Sequence, residues 1–515
     1  MSWKLEVDEI AKRMALALEQ GGPDAVKRQH AKGRLTIRER IEALLDPSSF
    51  EEVGSIAGEA ELSNDGELQG FTPANFLLGY GKIGGRRCIV GGEDFTLRGG
   101  SPSEAGLRKS VYAEELACQY RVPLIRLHEG AGGSVGGTGK KSAPPPVFAP
   151  HRFRSVAQAM ASVPVATAAL GAVAGMPAAR LVAAHFSVMS RKTAQVLIAG
   201  PAIVRRALGE RKTKEELGDA GVHTHNGVVD NGANDELDAF RQIRSFLGYL
   251  PAHVWELAPI ASAGDPADRR EEALISIVPR DRRKPYDMRQ LLNLVVDRET
   301  LFEIGAGYGR SQITGLARLN GQTVGIWAND CRQLAGAMTA DGAQKARRFI
   351  ELCETFHLPI VCFVDEPGFM IGSKAEQEAT IRHGTNTVMT AAMTSVPWAS
   401  VVVRKSFGVA QAAHYGPDAY VLLWPSAEMG ALPVEGGVAV AFHREIAAAA
   451  DPDAKRRELE EQLAARQSPF PRTEAFSVHD IIDPRETRIM LCRWIDRVQP
   501  LLANLLGPSG FSVRP

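Results

Sequence analysis

The sequence predicts an α/β protein built from two tandem copies of one fold. The first observation behind this is a gapless internal match. Moved by 236 places, residues 79–132 lay Gly79 on Gly315, Gly85 on Gly321, Asp94 on Asp330, Gly100 on Gly336, Lys109 on Lys345 and Pro123 on Pro359. The second is a later match at a shift of 233, which sets Ser162-Val163-Pro164 on Ser395-Val396-Pro397 and Gly175 on Gly408. The third is length: 515 residues exceed one ordinary core, and two domains of about 250 residues suit the repeat. Glycines and prolines recur at fixed spacing because the same backbone turns recur.

The elements follow in order. Residues 1–45 read as helix, closed by Asp46-Pro47. The stretch Leu35 to Gly54 has a counterpart in Met288 to Gly305, each passing from a helical pattern to Phe-Glu and a glycine. In the first copy Tyr80–Ile83 and Arg87–Val90 alternate as strands around Gly84-Gly85, followed by a helix at 103–120 and the buried strand Leu124–His128. The second copy repeats the plan with Gly315–Leu319, Thr323–Ala328, a helix at 340–356 and the strand Ile360–Asp365. Val111, Leu116 and Tyr120, and then Phe349, Leu352 and Phe356, supply the buried helical stripe. Pro123 and Pro359 separate helix from strand. A further strand in each copy, Val163–Leu170 and Trp398–Val403, runs into a turn of small residues and another helix.

Residues 259–287 are rich in Pro, Asp and Arg, the composition of a linker. The expected division is therefore 1–260, a linker at 261–287, and 288–515. Gly130 to Pro150 carries six glycines before Lys140-Lys141 and then three prolines, too long for a tight loop. A lid or binding loop and a plain surface connector both fit it.

Composition removes several functions. Sixty basic residues balance sixty acidic ones, so no global field draws in nucleic acid or an anionic membrane. Gly, Pro and charge interrupt every apolar run before it could span a bilayer. Met1-Ser2-Trp3-Lys4 opens an amphipathic pattern and not a secretory signal, and a cytoplasmic protein is expected. The six cysteines form no CxxC pair and mostly lie in apolar segments, as reduced core thiols do.

The informative site is the strand–turn–helix shared by both copies, Leu170 to Met176 in one and Arg404 to Ala410 in the other. A buried strand that hands small residues to a helix start presents free N–H groups and the positive end of the helix dipole. Such a turn can hold an oxygen on which negative charge develops. Close packing through small residues explains one such turn; its recurrence at the same point of both copies favours the anion-holding reading. No side-chain catalyst stands out. Ser190, Ser406, His185 and His414 are loose hydrolase candidates, and His223 with His225 lacks further ligands for a metal. Glu129 and Asp365 occupy equivalent strand ends, where a structural role bonding neighbouring backbone outweighs that of general base. Backbone amides without an acid–base pair suggest that a cofactor supplies the base.

These residues resemble the carboxyltransferase (β) subunits of biotin-dependent acyl-CoA carboxylases, such as the propionyl-CoA and methylcrotonyl-CoA enzymes. The matching stretches are Lys32 to Thr36 with Arg38 to Ile41, Asp94-Phe95-Thr96 with Gly99-Gly100-Ser101, Lys284 to Arg289, Leu334-Ala335-Gly336, Val364 to Phe369, Ile381 to Gly384, Trp424 to Glu428 and Ile482 to Arg488. The resemblance implies two tandem crotonase-like (ClpP/crotonase) ββα-superhelix domains, the first for acyl-CoA and the second for carboxybiotin. It implies an active site shared between subunits, with a dimer as minimum and a hexamer expected. It also implies a thioester enolate that attacks carbon dioxide released from carboxybiotin.

Carried over, the amides of Gly175 and Met176 would hold the thioester oxygen, and those of Gly408, Val409 and Ala410 the biotin oxygen. Gly99, Gly100 and Ser101 would line the acyl-CoA side, and Gly336, Pro367, Gly368 and Phe369 the biotin side. Lys140, Lys141, Arg152 and Arg154 are the nearest cations for CoA phosphates; a solvated basic loop explains them equally. Met176 and Val409 stand where the family usually carries the second glycine of a pair. An amide survives either change, but the backbone there must take ordinary negative φ. The chain has no Met-Lys-Met biotin acceptor and no ATP-grasp region, so biotin would arrive on a carrier subunit with its biotin carboxylase. A decarboxylase component, and a non-catalytic paralogue that binds acyl-CoA, are the competing expectations.

Overall fold

The computed structural model describes residues 2–132, 153–262 and 264–510. The chain divides between Trp255 and Glu256 into two compact units. Among the described residues, each unit holds an eight-stranded sheet of the same connectivity. In the first unit the strands lie in the order 51–52, 76–83, 86–93, 124–130, 165–174, 186–190 and 231–233, with 195–197 also paired to 165–174. In the second the order is 302–304, 312–319, 322–329, 360–366, 398–407, 420–423 and 480–481, with 428–430 paired to 398–407. In both units the first two pairings are antiparallel and the others parallel.

Local chemistry explains the recurrence. The hairpin loops are Gly84-Gly85, with φ of 56° and 77°, and Asn320-Gly321, with φ of 50° and 76°. Left-handed backbone at both loop residues is what a two-residue hairpin requires. The helices Glu104–Tyr120 and Ala340–Thr355 are capped alike, by Ser103 on the Gly106 N–H and Thr339 on the Gly342 N–H. The second unit's core gathers Met288, Leu291, Ile326, Phe363, Val401 and Trp424, none more than 1 % exposed. All six cysteines are free, and five are buried. No helix among the described residues is long and apolar enough to cross a membrane.

Two expectations need correction. The N-terminal stretch is three helices, Lys4–Leu18, Pro23–His30 and Ile37–Leu44, because Gly22 and Gly33 take left-handed backbone with φ of 86° and 70°. Thr36 and Glu39 then restart the chain with a reciprocal capping box. The stretch 261–287 is not a linker but belongs to the second unit. Leu274 and Tyr286 lie in that unit's core, and Arg269 donates to Asp265 at 2.9 Å and to the Val296 carbonyl at 2.8 Å. Arg488, 1 % exposed, bonds the Pro266 carbonyl at 2.8 Å and Asp297 at 2.8 Å. Charges that read as solvated are partners in buried ion pairs.

Candidate active site

In each unit three segments meet at the C-terminal ends of the central parallel strands. The first is a turn of three successive left-handed residues. In the first unit these are Arg98, Gly99 and Gly100, with φ of 53°, 60° and 71°; in the second, Leu334, Ala335 and Gly336, with φ of 50°, 56° and 87°. The N–H groups of Gly100 and Ser101 bond Leu97 and Arg98 carbonyls at 3.0 and 3.2 Å, and Gly336 bonds Gln333 at 2.9 Å. The amides at the end of each turn are therefore engaged within it. A side chain at Gly100 would run into the Glu129 carbonyl and Gly130, which sets the turn directly against the second segment.

That second segment is the strand end carrying Glu129 or Asp365. Both strands slip register there, between His128 and Gly130 and between Val364 and Glu366. A bulge re-aims the side chain of its extra residue. Glu129 is turned onto Arg34 at 2.8 Å, Arg40 at 2.7 Å and Gln29 at 2.6 Å. Asp365 is turned onto Arg404 at 2.9 Å and the Tyr286 hydroxyl at 3.0 Å, and also accepts the Lys405 N–H at 3.1 Å. Both acids are fully buried, so they are structural anchors. Their partners are chiefly arginines, and not the neighbouring backbone expected from sequence.

The third segment is the amide turn. Gly175 and Gly408 have the same φ, 65°, which an L side chain resists. Gly175 precedes the helix Met176–Val182, and Val409, with φ of −72°, precedes the short helix Ala410–His414. Among the described residues the N–H groups of Gly175, Met176, Val409 and Ala410 have no hydrogen-bond acceptor. The Gly408 N–H does, giving a 3.3 Å bond to the Gly430 carbonyl. That differs from the expectation that Gly408 donates to a ligand: the small strand 428–430 holds its amide, and Val409 and Ala410 keep N–H groups without an acceptor among the described residues. Val409 is 64 % exposed and Gly175 is also at the surface, so a ligand can reach both turns.

Pro367, Gly368 and Phe369, expected to line the biotin side, follow the strand end and pair with Met338, whose N–H donates to the Gly368 carbonyl at 3.1 Å. The Phe369 ring lies over Gly384, where any Cβ would overlap it. Arg154 is exposed on the helix Arg154–Met160. Lys140, Lys141 and Arg152 lie outside the described residues. A cavity of about 530 Å³ in the second unit, walled by Arg404, Trp424 and Glu428, contains none of the turn residues.

The loose hydrolase candidates are not assembled. Both His185 ring nitrogens face backbone, and Ser406 bonds Gln411 and Tyr415. His223 and His225 bond the Val196 and Gly221 carbonyls, and no group of three metal-ligating side chains exists among the described residues. Sequence reasoning missed two buried pairs, Glu93 with His128 at 3.2 Å and Glu366 with His414 at 3.3 Å. Burial alone would raise the Glu93 carboxyl, but the facing His128 holds it below its ordinary range. Burial wins at Glu366, whose carboxyl is raised despite His414. No motif marks either pair, because each joins residues from different elements.

Residues 28–496 match the carboxyl transferase domain family. The chain is 33 % identical over 501 residues to the carboxyltransferase subunit of propionyl-CoA carboxylase from Haloferax mediterranei, with 95 % of each chain covered. It is 31 % identical over 494 residues to the methylmalonyl-CoA decarboxylase subunit alpha of Veillonella parvula, covering 94 % of each. Among solved structures it resembles the transcarboxylase 12S hexamer with methylmalonyl-coenzyme A bound. That likeness has a TM-score of 0.87 at 30 % identity, over 97 % of this chain and 96 % of the other.

Proposed function

The chain belongs to the carboxyl transferase domain family, and from that membership we propose how its two units divide one reaction. It is a biotin-dependent acyl-CoA carboxyltransferase, a subunit of propionyl-CoA carboxylase type. In this reading the first unit takes the acyl-CoA thioester at Gly175 and Met176, and the second takes biotin at Val409 and Ala410. The carrying observation is the pair of amide turns, alike at φ of 65° and each offering two N–H groups without an acceptor among the described residues, Gly175 and Met176 in one and Val409 and Ala410 in the other.

The donor set fits the group it would receive. A ureido oxygen is a neutral acceptor that gains negative charge on carboxyl release, and two amides in an open turn suit it. A Cβ at Gly408 would have only the Ala431 carbonyl nearby, at 3.7 Å, so the cradle has room. Carboxybiotin would supply both the carbon dioxide and the base, which agrees with the lack of an assembled side-chain base at either turn among the described residues. The protein's own work is to polarise the thioester oxygen through Met176 and Gly175, lowering the cost of the enolate. Phe369 and the 334–336 turn wall the biotin side. Arg154, exposed at the start of its helix, is the described cation for the CoA phosphates.

We further propose a homo-hexamer, the assembly of the transcarboxylase 12S relative, and a carrier subunit that brings the biotin. Free, buried thiols suit a reducing, cytoplasmic setting. Net decarboxylation is the second reading, favoured by the Veillonella parvula relative. The test is to combine the chain with a biotinylated carrier and its carboxylase and follow bicarbonate fixation across a panel of acyl-CoAs. Fixation on one of them establishes carboxylation; carboxyl loss outpacing fixation establishes the second reading. Tight acyl-CoA binding without turnover in either direction overturns both, and leaves a non-catalytic paralogue.

A further inference from the structure

We propose that Glu366 and His414 are a positioning pair, which sets where the second amide turn stands relative to the two segments beside it. This rests on reading Val409 and Ala410 as donors to the biotin oxygen. Glu366 ends the strand Ile360–Glu366, and both it and His414 are 0 % exposed. One carboxylate oxygen accepts the Gly368 N–H at 3.0 Å and the Met338 N–H at 3.3 Å. The other accepts the Asn329 side-chain amide at 3.0 Å and faces His414 Nε2 at 3.3 Å. One side chain thus ties the turn at 334–338 and the segment 366–369 to the short helix that begins at Ala410.

His414 is held so that it can transmit this. Its ring lies 4.1 Å from that of Trp327, which is itself fixed to Gln312 at 2.9 Å. Its carbonyl accepts the Trp398 indole N–H at 2.9 Å and the Ser400 hydroxyl at 2.6 Å. Its Nδ1 is buried without a partner. A proton there would be unsatisfied, so the hydrogen-bond pattern assigns the ring proton to Nε2, directed at Glu366. Unlike Glu129 and Asp365, Glu366 has no arginine among its recorded donors. Among the described residues the imidazole is its one titratable hydrogen-bond partner, and it sits four residues from Ala410. An error of about 1 Å in such a positioned group can cost roughly a hundredfold in rate.

The experiment uses the full-length protein and follows carboxyl transfer from methylmalonyl-CoA to free biotin, with amide hydrogen exchange on the same samples. His414→Phe keeps the ring against Trp327 and removes the donor; His414→Gln returns a donor. The expected result is a kcat at least tenfold lower for H414F, with KM for methylmalonyl-CoA within twofold of wild type. H414Q recovers most of the rate, and exchange quickens over 408–414 in H414F but not over 170–180. Wild-type kcat in H414F, or equal slowing in both variants with a proportional rise in KM, overturns the proposal. If the wild-type protein itself transfers nothing, the functional reading fails, and unchanged exchange over 408–414 in H414F still overturns the pairing.

Discussion

Glu129 and Asp365 stand at the same β-bulge in the two units, each fully buried and each ion-paired to arginine. The arginines come from different places. Asp365 is met by Arg404, on the adjacent strand Trp398–Phe407. The repeat lays Gly171 on Arg404, and a Cβ at Gly171 would overlap the Glu129 carboxylate. The first unit instead brings Arg34 and Arg40 from its N-terminal segment. The duplicated fold kept the acid and changed its partner.

Removing either acid should therefore destabilise its own unit. Asp365→Ala leaves Arg404, 3 % exposed, without its carboxylate, and uncompensated buried charge costs about 3–5 kcal/mol. Urea unfolding of D365A should show a loss of that order, and Glu129→Ala a similar one. A loss below about 1 kcal/mol would mean that water or backbone replaces the carboxylate.

The amide turns should fail when their glycines are constrained. Proline fixes φ near −65°, against 65° at Gly175 and Gly408. At Gly408 it also deletes the 3.3 Å bond to Gly430. Losing one oxyanion donor typically costs about 10²–10³ in rate, so G175P, which deletes a donor, should lose carboxyl transfer by at least that factor, and G408P, which displaces the turn carrying the Val409 and Ala410 amides, by a similar one. Size-exclusion profiles should remain those of wild type. Transfer at the wild-type rate in either variant would sink the assignment of that turn.

Much of this arrangement was legible in the sequence, and what was not has a physical cause. The repeat in Gly, Pro and Asp reported the turns directly, because Gly84-Gly85 and Asn320-Gly321 fix hairpins wherever they occur. The amide turns were visible for the same reason. Hidden were the partners chosen across long separations. Arg40 reaches Glu129 only once a bulge has turned that side chain, and Gly408 loses its free amide to a three-residue strand with no propensity of its own. The charged stretch 261–287 misled because composition reports the number of charges but not whether they are paired.

Lys109 offers a test of burial through pH. Burial, partly opposed by Glu52, pulls its ammonium down from 10.5 to about 8. Its Nζ donates to the Gly54 carbonyl at 3.1 Å. The folded value lies below the unfolded one, so between about pH 8 and 10.5 the unfolded chain holds a proton that the folded chain has released. Stability from this group then rises with pH across that window, by up to about 1.4 kcal/mol per pH unit. Comparing wild type with Lys109→Met isolates it: the difference in unfolding free energy should shift in favour of wild type from pH 8 to 10. A pH-independent difference would show that the ammonium remains charged when folded.

Gly384 offers a test of the proposed biotin side through space alone. It lies in the helix Thr380–Ala392, and a Cβ there would overlap the Phe369 ring. Phe369 cannot withdraw freely, because its segment is bridged to Met338 and Gly368 is fixed to the Glu366 carboxylate at 3.0 Å. Gly384→Ala should therefore move Phe369 and, with it, the wall proposed for the biotin side, while also gaining slightly in helix propensity, about 1 kcal/mol. The expected signature is a raised KM for free biotin, or a lowered kcat, with acyl-CoA affinity within twofold of wild type. Isothermal titration with the acyl-CoA and transfer assays at varied biotin measure the two separately. Weakened acyl-CoA binding in G384A would place Phe369 on the thioester side and reverse the division of labour between the units.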